Sequence, residues 1–344
     1  MSKKIKGYTL AVVIPCWNEE KLLPEMLDCL LKQTFQDWIA YCVDDQSTDS
    51  TAEVIKAYQE KDERIQYVRR EKEPKGGQTC RNTGLDMAVE QGAKYVCFFD
   101  ADDMVAPYCF EQRVKYMEEH PKLDCGVFPA LAYADDIREE TGPVFGVKIF
   151  EDDIEAMLNQ NLPMTGWTNI YRASCFEKYG LRWDEDVLSM QDSDFSFQMI
   201  LSDMKYDYAA DAKADYFYHV GNTGVAKKIR TKRHYNSHVY CLNKVSQMIS
   251  AKYGDKYDFY IESRIVSFLG TFKDTWQPYF DLLKLPWMKK RFGFKMRLVL
   301  YLMILKKDRR LIFRKHRKYL KRQNAVWEER MAEEREKQLK IVDW

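Results

Sequence analysis

Four times in its first hundred residues the chain runs from an apolar strand into a polar turn and then a helix. Tyr8 to Ile14 reads as a strand closed by Pro15-Cys16-Trp17-Asn18-Glu19-Glu20, with an amphipathic helix following to about Gln33. Ile39 to Val43 is the next, closed by Asp44-Asp45-Gln46-Ser47-Thr48-Asp49; the helix after it opens on Ser50-Thr51-Ala52-Glu53, which has capping-box spacing. Ile65 to Val68 is a third strand, followed by Gly76-Gly77 and a helix from about Thr79 to Gln91. The fourth is the apolar run Tyr95-Val96-Cys97-Phe98-Phe99. Strands alternating with helices predict an α/β fold with a mostly parallel sheet covered on both faces. The strand ends all carry polar residues, so one rim of that sheet concentrates the chemistry.

The sharpest feature on that rim is Asp100-Ala101-Asp102-Asp103, directly after the fourth strand. In extended chain, residues two apart project to one side, so Asp100 and Asp102 are expected to converge. Converging carboxylates repel unless a cation lies between them, and a divalent, oxygen-loving ion such as Mn²⁺ or Mg²⁺ suits that place. The alternative is that these acids only open a turn and cap the helix starting near Pro107.

Four elements in this order resemble the family 2 glycosyltransferases with the GT-A nucleotide-sugar fold. They are Val13-Ile14-Pro15-Cys16-Trp17-Asn18-Glu19, Val43-Asp44-Asp45-Gln46-Ser47-Thr48-Asp49-Ser50-Thr51, Arg81-Asn82-Thr83-Gly84 and Phe99-Asp100-Ala101-Asp102-Asp103. A fifth, Gln191-Asp192-Ser193-Asp194-Phe195, sits where the family carries its Glu-Asp motif, with Gln191 in place of Glu. The resemblance spans about residues 8 to 225. It implies a metal-dependent, inverting transferase that moves a sugar from a nucleotide diphosphate, with UDP as the expected nucleotide, to an acceptor hydroxyl. Nucleotide-sugar contact is then expected at Pro15, Trp17, Asn18, Glu19, Asp45, Gly76, Arg81, Asp100 and Ala101. Metal binding falls on Asp100, Asp102 and His219, the general base on Asp192, and acceptor contact on Trp167.

Each assignment has a physical reading beside it. Trp17 offers a flat apolar face suited to a nucleobase, and Asp45 a carboxylate able to accept the uracil N3–H. Asp44 reads as a turn former. Gly76 lets backbone approach a ligand, or simply makes a flexible loop. Arg81, a planar cation beside a helix N-terminus, favours a diphosphate. Asp194 competes with Asp192 for the role of base. Trp167 suits a sugar ring or core packing equally. His219, after Tyr216-Phe217-Tyr218, is a metal ligand or a structural histidine.

The nine cysteines form no C-x-x-C pair and the five histidines are scattered, which argues against structural zinc. The odd cysteine count suits a reducing compartment. The N-terminal apolar stretch is broken by Pro15 and Asn18-Glu19-Glu20, unlike a secretory leader, so a cytoplasmic protein is expected. Charge divides the chain: residues 285–344 hold 19 Lys and Arg against 7 Asp and Glu, while the remainder is net acidic. The crossover near Leu285-Pro286-Trp287 suggests a catalytic domain over 1–225 (nucleotide-sugar half about 1–125, acceptor half about 126–225). A helical connection over 226–285 and a basic amphipathic extension over 286–344 would follow. Leu298 to Leu305 is apolar but far short of the roughly 20 residues a membrane span needs. With its basic and aromatic flanks it suits a segment lying on an anionic membrane, or a helix packed on the catalytic domain. Nucleic-acid binding lacks any recognisable module. The expected acceptor is a glycan or lipid-linked glycan in surface polysaccharide synthesis. The competing classes are a nucleotidyltransferase and a non-catalytic nucleotide-sugar or glycan binder.

Overall fold

The structure is a computed structural model that describes residues 7–139, 142–220, 231–271, 281, 283–291, 293, 294, 297, 298, 301 and 314–342. The first half follows the alternation read from the sequence. It runs β1 (Leu10–Cys16), α1 (Leu23–Leu31), β2 (Trp38–Asp44), α2 (Thr51–Lys61), β3 (Ile65–Arg69), α3 (Gly77–Glu90) and β4 (Tyr95–Phe98). Then come β5 (Met104–Val105), α4 (Cys109–Glu119), β6 (Cys125–Val127), β7 (Ala130–Tyr133), β8 (Val144–Phe145), α5 (Asp153–Leu158) and β9 (Asn169–Arg172). They lead into α6 (Ser174–Tyr179), α7 (Gln191–Leu201), β10 (Tyr206–Tyr208) and β11 (Tyr216–His219). The described helices beyond these are α8 (Lys232–Tyr253), α9 (Asp258–Thr271), α10 (Pro286–Arg291) and α11 (Arg314–Ile341).

The main sheet has the order β10-β6-β9-β4-β1-β2-β3. Strands β4, β1, β2 and β3 are mutually parallel, while β9 runs antiparallel to both β4 and β6. Because side chains alternate along a strand, β1 feeds two cores at once. Leu10, Val12 and Ile14 pack with α1, α2 and α4 through Leu27, Ile55 and Phe110. Ala11 and Val13 share the opposite core with Leu85 of α3, Phe176 of α6 and Phe195 of α7.

A second sheet, β5-β11-β7-β8, follows the acidic triplet and was not foreseen from sequence. Its strands are two to four residues long, too short for a periodic signal. Residues 314–342 of the basic extension brace it. Met331 and Val342 pack with Leu131, Val144 and Phe217, Gln338 Oε1 accepts the Ala214 N–H at 2.7 Å, and Arg335 Nε donates to the Glu139 carbonyl at 2.8 Å. The charge crossover also falls inside packed structure: Trp287 and Met288 join α8, α9 and Phe197 in one apolar cluster. Among the described residues no helix is long and apolar enough to cross a membrane.

Two local expectations are corrected. Ser50 makes no side-chain cap; Asp49 Oδ1 accepts from Thr51 N at 3.0 Å and Thr51 Oγ1 at 2.6 Å, and Glu20, in the place a capping box gives Glu53, accepts the Ser50 N–H. The acidic triplet is not extended chain either, since a turn lies at Ala101-Asp102.

One buried ion pair locks α4 against the strands behind the site. Arg113 Nη2 and Nε donate to Asp215 at 2.7 and 3.0 Å, and Nη1 donates to the Trp167 carbonyl at 3.0 Å, with both side chains out of solvent. Truncating one partner strands a buried charge, which costs about 3–5 kcal/mol. Arg113→Ala is therefore expected to lower unfolding free energy by about that amount in urea titrations, and the paired replacement Arg113→Met/Asp215→Leu by much less.

Candidate active site

The ends of β1, β2 and β4 meet the N-termini of α3 and α7 at one rim. The turns after β1 and β2 are laced together. Asn18 N donates to Ser47 Oγ at 3.0 Å, Thr48 N to Asn18 Oδ1 at 2.8 Å, and Glu19 N to Thr51 Oγ1 at 2.8 Å. Asn18 takes the left-handed conformation at φ 57°, which its short polar side chain tolerates. This lacing follows Pro15 and carries Trp17, which remains 50 % exposed.

Asp45 is buried, 4 % exposed, and both its oxygens have partners: Arg70 Nη1 at 2.9 Å and the Gly76 N–H at 2.7 Å. Arg70 was missed in the sequence, where it is one of many surface-like arginines. It also donates to the Pro74 carbonyl at 2.7 Å, so it pins the loop leading to Gly76 and α3. Asp44 has the turn role expected of it, accepting from Ser47 N at 2.9 Å and from Tyr67 Oη at 3.2 Å.

Beyond β4 the acids divide by role. Asp103 is buried and accepts from Tyr216 Oη at 2.5 Å and from the His219 N–H at 2.7 Å. Tyr216 Oη in turn accepts the Asp100 N–H at 3.0 Å, which fixes the backbone of the triplet. Burial, then Asp100 and Asp102, push the Asp103 carboxyl well above its ordinary value. Asp102 is raised to about 6 by burial and then by Asp100; Glu19 is raised to about 7 by burial, then by Asp102, Asp49 and Asp100. Ala101 is buried between the acids.

This excess of negative charge is the chemistry a divalent cation would relieve. His219 adds a buried Nδ1 that has no hydrogen-bond partner among the described residues. Among the described residues no three His, Cys, Asp or Glu side chains are already gathered to hold an ion. A carboxylate pair completed by substrate phosphates is nonetheless an ordinary arrangement for magnesium, so the residues present fit such an ion.

Arg81 links this cluster to α7. Its guanidinium, 6 % exposed, donates through Nη2 to Asp100 Oδ1 at 2.5 Å and through Nη1 to Gln191 Oε1 at 2.8 Å, and lies 4.6 Å over the Trp183 ring. Next along α7, Asp192 Oδ1 accepts the Gly166 N–H at 3.1 Å. A Cβ at residue 166 would stand 3.0 Å from that oxygen and 2.6 Å from Trp183, so only glycine lets the backbone reach the carboxylate. Asp192 is raised by burial, held down by Arg81, and raised again by Asp100. Asp194, its rival, is buried; its Oδ2 accepts from Lys244 Nζ at 2.9 Å and from Gln198 Nε2 at 2.7 Å.

Trp167 is a correction. It is 4 % exposed, and its ring stacks on Tyr216 at 4.9 Å and Tyr218 at 5.3 Å, with Phe145 at its edge. It packs in the core and offers no face to a sugar.

A family model described as glycosyl transferase family 2 matches residues 11–180. An uncharacterized glycosyltransferase of Methanocaldococcus jannaschii is 30 % identical over 203 residues, covering 58 % of this chain and 67 % of that protein. The chain belongs to glycosyl transferase family 2. This family 2 chain is also similar to EpsJ, an uncharacterized glycosyltransferase of Bacillus subtilis, at 28 % identity over 54 % of each chain. A poly(ribitol-phosphate) beta-glucosyltransferase of Bacillus spizizenii is 24 % identical over 62 % of this chain. The chain spans about two thirds, a half and a third of the lengths of the M. jannaschii, B. subtilis and B. spizizenii relatives. The crystal structure of S. aureus TarS 1–349 in complex with UDP-GlcNAc superposes with a TM-score of 0.65 at 19 % identity, covering 87 % of this chain and 88 % of that one, a likeness of fold. Family 2 membership makes the chain a glycosyltransferase and sets aside the nucleotidyltransferase reading.

Tyr216 has no role legible in the sequence, and Asp103 none beyond its place in the acidic triplet, because their pairing joins two distant segments. Tyr216→Phe keeps the ring packing but leaves the Asp103 carboxylate and the Asp100 N–H each short of a partner. It is expected to destabilise by about 1–3 kcal/mol in denaturant unfolding, and to reduce transfer by more than the stability loss explains.

Proposed function

We propose that this glycosyltransferase moves a sugar from a UDP-linked donor to an acceptor hydroxyl with inversion, assisted by Mn²⁺ or Mg²⁺. One observation carries the reading: Arg81 joins Asp100 of the acidic triplet to Gln191, the residue next to Asp192. Acidic triplet, arginine and candidate base are thereby held in one rigid array.

In this mechanism Asp192 takes the proton of the acceptor hydroxyl as sugar transfer proceeds. Burial and Asp100 raise its basicity, while the Gly166 N–H holds its orientation. Arg81 supplies fixed positive charge where the diphosphate departs, and Trp17 serves the uracil base, with Asp45 pinning the Arg70 and Gly76 loop beside it. A divalent cation held by Asp100, Asp102 and His219 would neutralise the two departing phosphates. Support for UDP comes from the exposed ring of Trp17 and from the UDP-GlcNAc complex of the TarS fold neighbour. A glycan or lipid-linked glycan acceptor in surface polysaccharide synthesis is consistent with the poly(ribitol-phosphate) relative.

The decisive assay is nucleotide release from a panel of UDP-, GDP- and CMP-sugars, with Mn²⁺ or with EDTA. Release of UDP from one donor, lost in EDTA, is expected. Asp192→Asn should lower turnover by about a thousandfold or more while UDP binding by calorimetry stays near wild type. Wild-type turnover in that variant would remove Asp192 as the base, and absence of UDP binding would remove the nucleotide-sugar reading altogether.

A peripheral place on the cytoplasmic face of an anionic membrane belongs to the same proposal. Phe294 is 74 % exposed, with Leu298 and Tyr301 also exposed, close in sequence to exposed Lys289 and Lys290. The rest of the apolar run to Leu305 lies outside the described residues. Deleting the extension would strip Trp287, Met331 and Gln338 from the cores, so charge reversal is the cleaner test. Replacing exposed Lys289, Lys290, Lys318 and Lys321 by Glu should release the protein from anionic vesicles, since each basic residue contributes about 1 kcal/mol there. Equal co-sedimentation of variant and wild type would sink the membrane reading.

A further inference from the structure

Where the family motif has Glu, this chain has Gln191, and its amide belongs to a chain of hydrogen bonds with a fixed direction. Arg81 can only donate, so Gln191 must turn its oxygen toward it, at 2.8 Å from Nη1. The Gln191 Nε2 then donates to Gln78 Oε1 at 2.6 Å, and Gln78 Nε2 donates to the Glu185 carbonyl at 3.1 Å. Gln78 is fully buried. The sequence runs Gly77-Gln78-Thr79-Cys80-Arg81, so Gln78 and Arg81 stand three residues apart at the start of α3 and both reach across to α7 or its approach. A Cβ on Gly77 would come within 3.1 Å of Arg81 Nη1 and 3.4 Å of Gln191 Oε1, so the backbone itself is shaped around the contact.

We propose that Gln78 and Gln191 form an amide clasp that positions Arg81 without neutralising it, making both glutamines positioning residues for the donor's diphosphate. The inference rests on the nucleotide-sugar reading. Arg81 already meets one carboxylate, Asp100. A glutamate in place of Gln191 would give it a second, turning a cation available to phosphate into the middle of a carboxylate bridge. It would also break the chain one step further on. The new carboxylate has no N–H for Gln78 Oε1, and if the Gln78 amide flips to donate to it, the Gln78 oxygen then faces the Glu185 carbonyl. An acceptor faces an acceptor in either arrangement. The neutral amide is thus the side chain that satisfies every partner while leaving the guanidinium its charge.

The test uses the full-length protein, with UDP as binding probe and the active donor from the release panel as substrate. The variants are Gln191→Glu, Gln78→Leu, Gln191→Leu and the double Gln78→Leu/Gln191→Leu, each checked by thermal unfolding. Gln191→Glu should raise the UDP Kd and the donor KM about tenfold, with kcat changed less. Gln78→Leu should move the same constants in the same direction although it touches no ligand. The double variant should fall well short of the product of the two singles, because the clasp acts as a unit. Folded variants that keep Kd and KM within about twofold of wild type, or leucine substitutions whose effects simply multiply, would overturn the clasp. A wild-type chain that neither binds UDP nor turns over any donor would overturn the nucleotide-sugar reading, and this proposal with it.

Discussion

The Arg81 guanidinium is the interaction on which the site depends. The rim of the sheet gathers Glu19, Asp49, Asp100, Asp102 and Asp103, and burial raises several of them by leaving their charges poorly solvated. Without a fixed cation the ends of β1 and β4 would repel one another. Arg81 reaches Asp100 from α3, stacks over Trp183, and meets α7 through Gln191. One side chain thus sets the spacing between acidic triplet and candidate base before any ligand arrives. The remaining negative charge is what the proposed cation would relieve and what the proposed base role of Asp192 would use.

Support for that array comes from two different cores. The main sheet supplies the strand ends, and the small second sheet supplies Tyr216 and the His219 backbone, which hold Asp103 and, through it, the turn of the triplet. Arg113 and Asp215 tie the two parts together from beneath. Asp215 and Tyr216 are neighbours in sequence, so the structural ion pair and the hydroxyl under the acidic turn sit on one short stretch of chain. Precision at the rim is inherited from rigidity below it.

What the sequence made legible is what local physics decides. Apolar runs of four to seven residues, polar strand ends and helix-spaced residues placed β1 to β4 and α1 to α3 within a few positions, and the ordered motifs named the family. What it hid depends on long-range pairing. Arg70, Tyr216 and Gln78 carry no local signature, and each acquires its role from a partner on another element: Asp45, Asp103 and Gln191. Trp167 shows the converse. A tryptophan beside a glycine in the acceptor region invites a sugar, yet three aromatic neighbours claim its ring. The charge pattern of the extension left open whether it packs on the catalytic domain, because composition reports the solvated face of α11 and not the few residues, Met331, Arg335 and Gln338, that it buries.

Those few residues bear on the order in which the molecule can be completed. Leu131, Val144 and Phe217 are laid down long before Met331 and Val342, which cover them. During synthesis the second sheet must wait, with one face uncovered, until more than a hundred further residues past β11 have emerged. The sheet that steadies the acidic turn is therefore among the last parts of the fold to be sealed. A nascent chain can build its parallel sheet early and still lack a firm grip on Asp103 until the helix from the far end arrives.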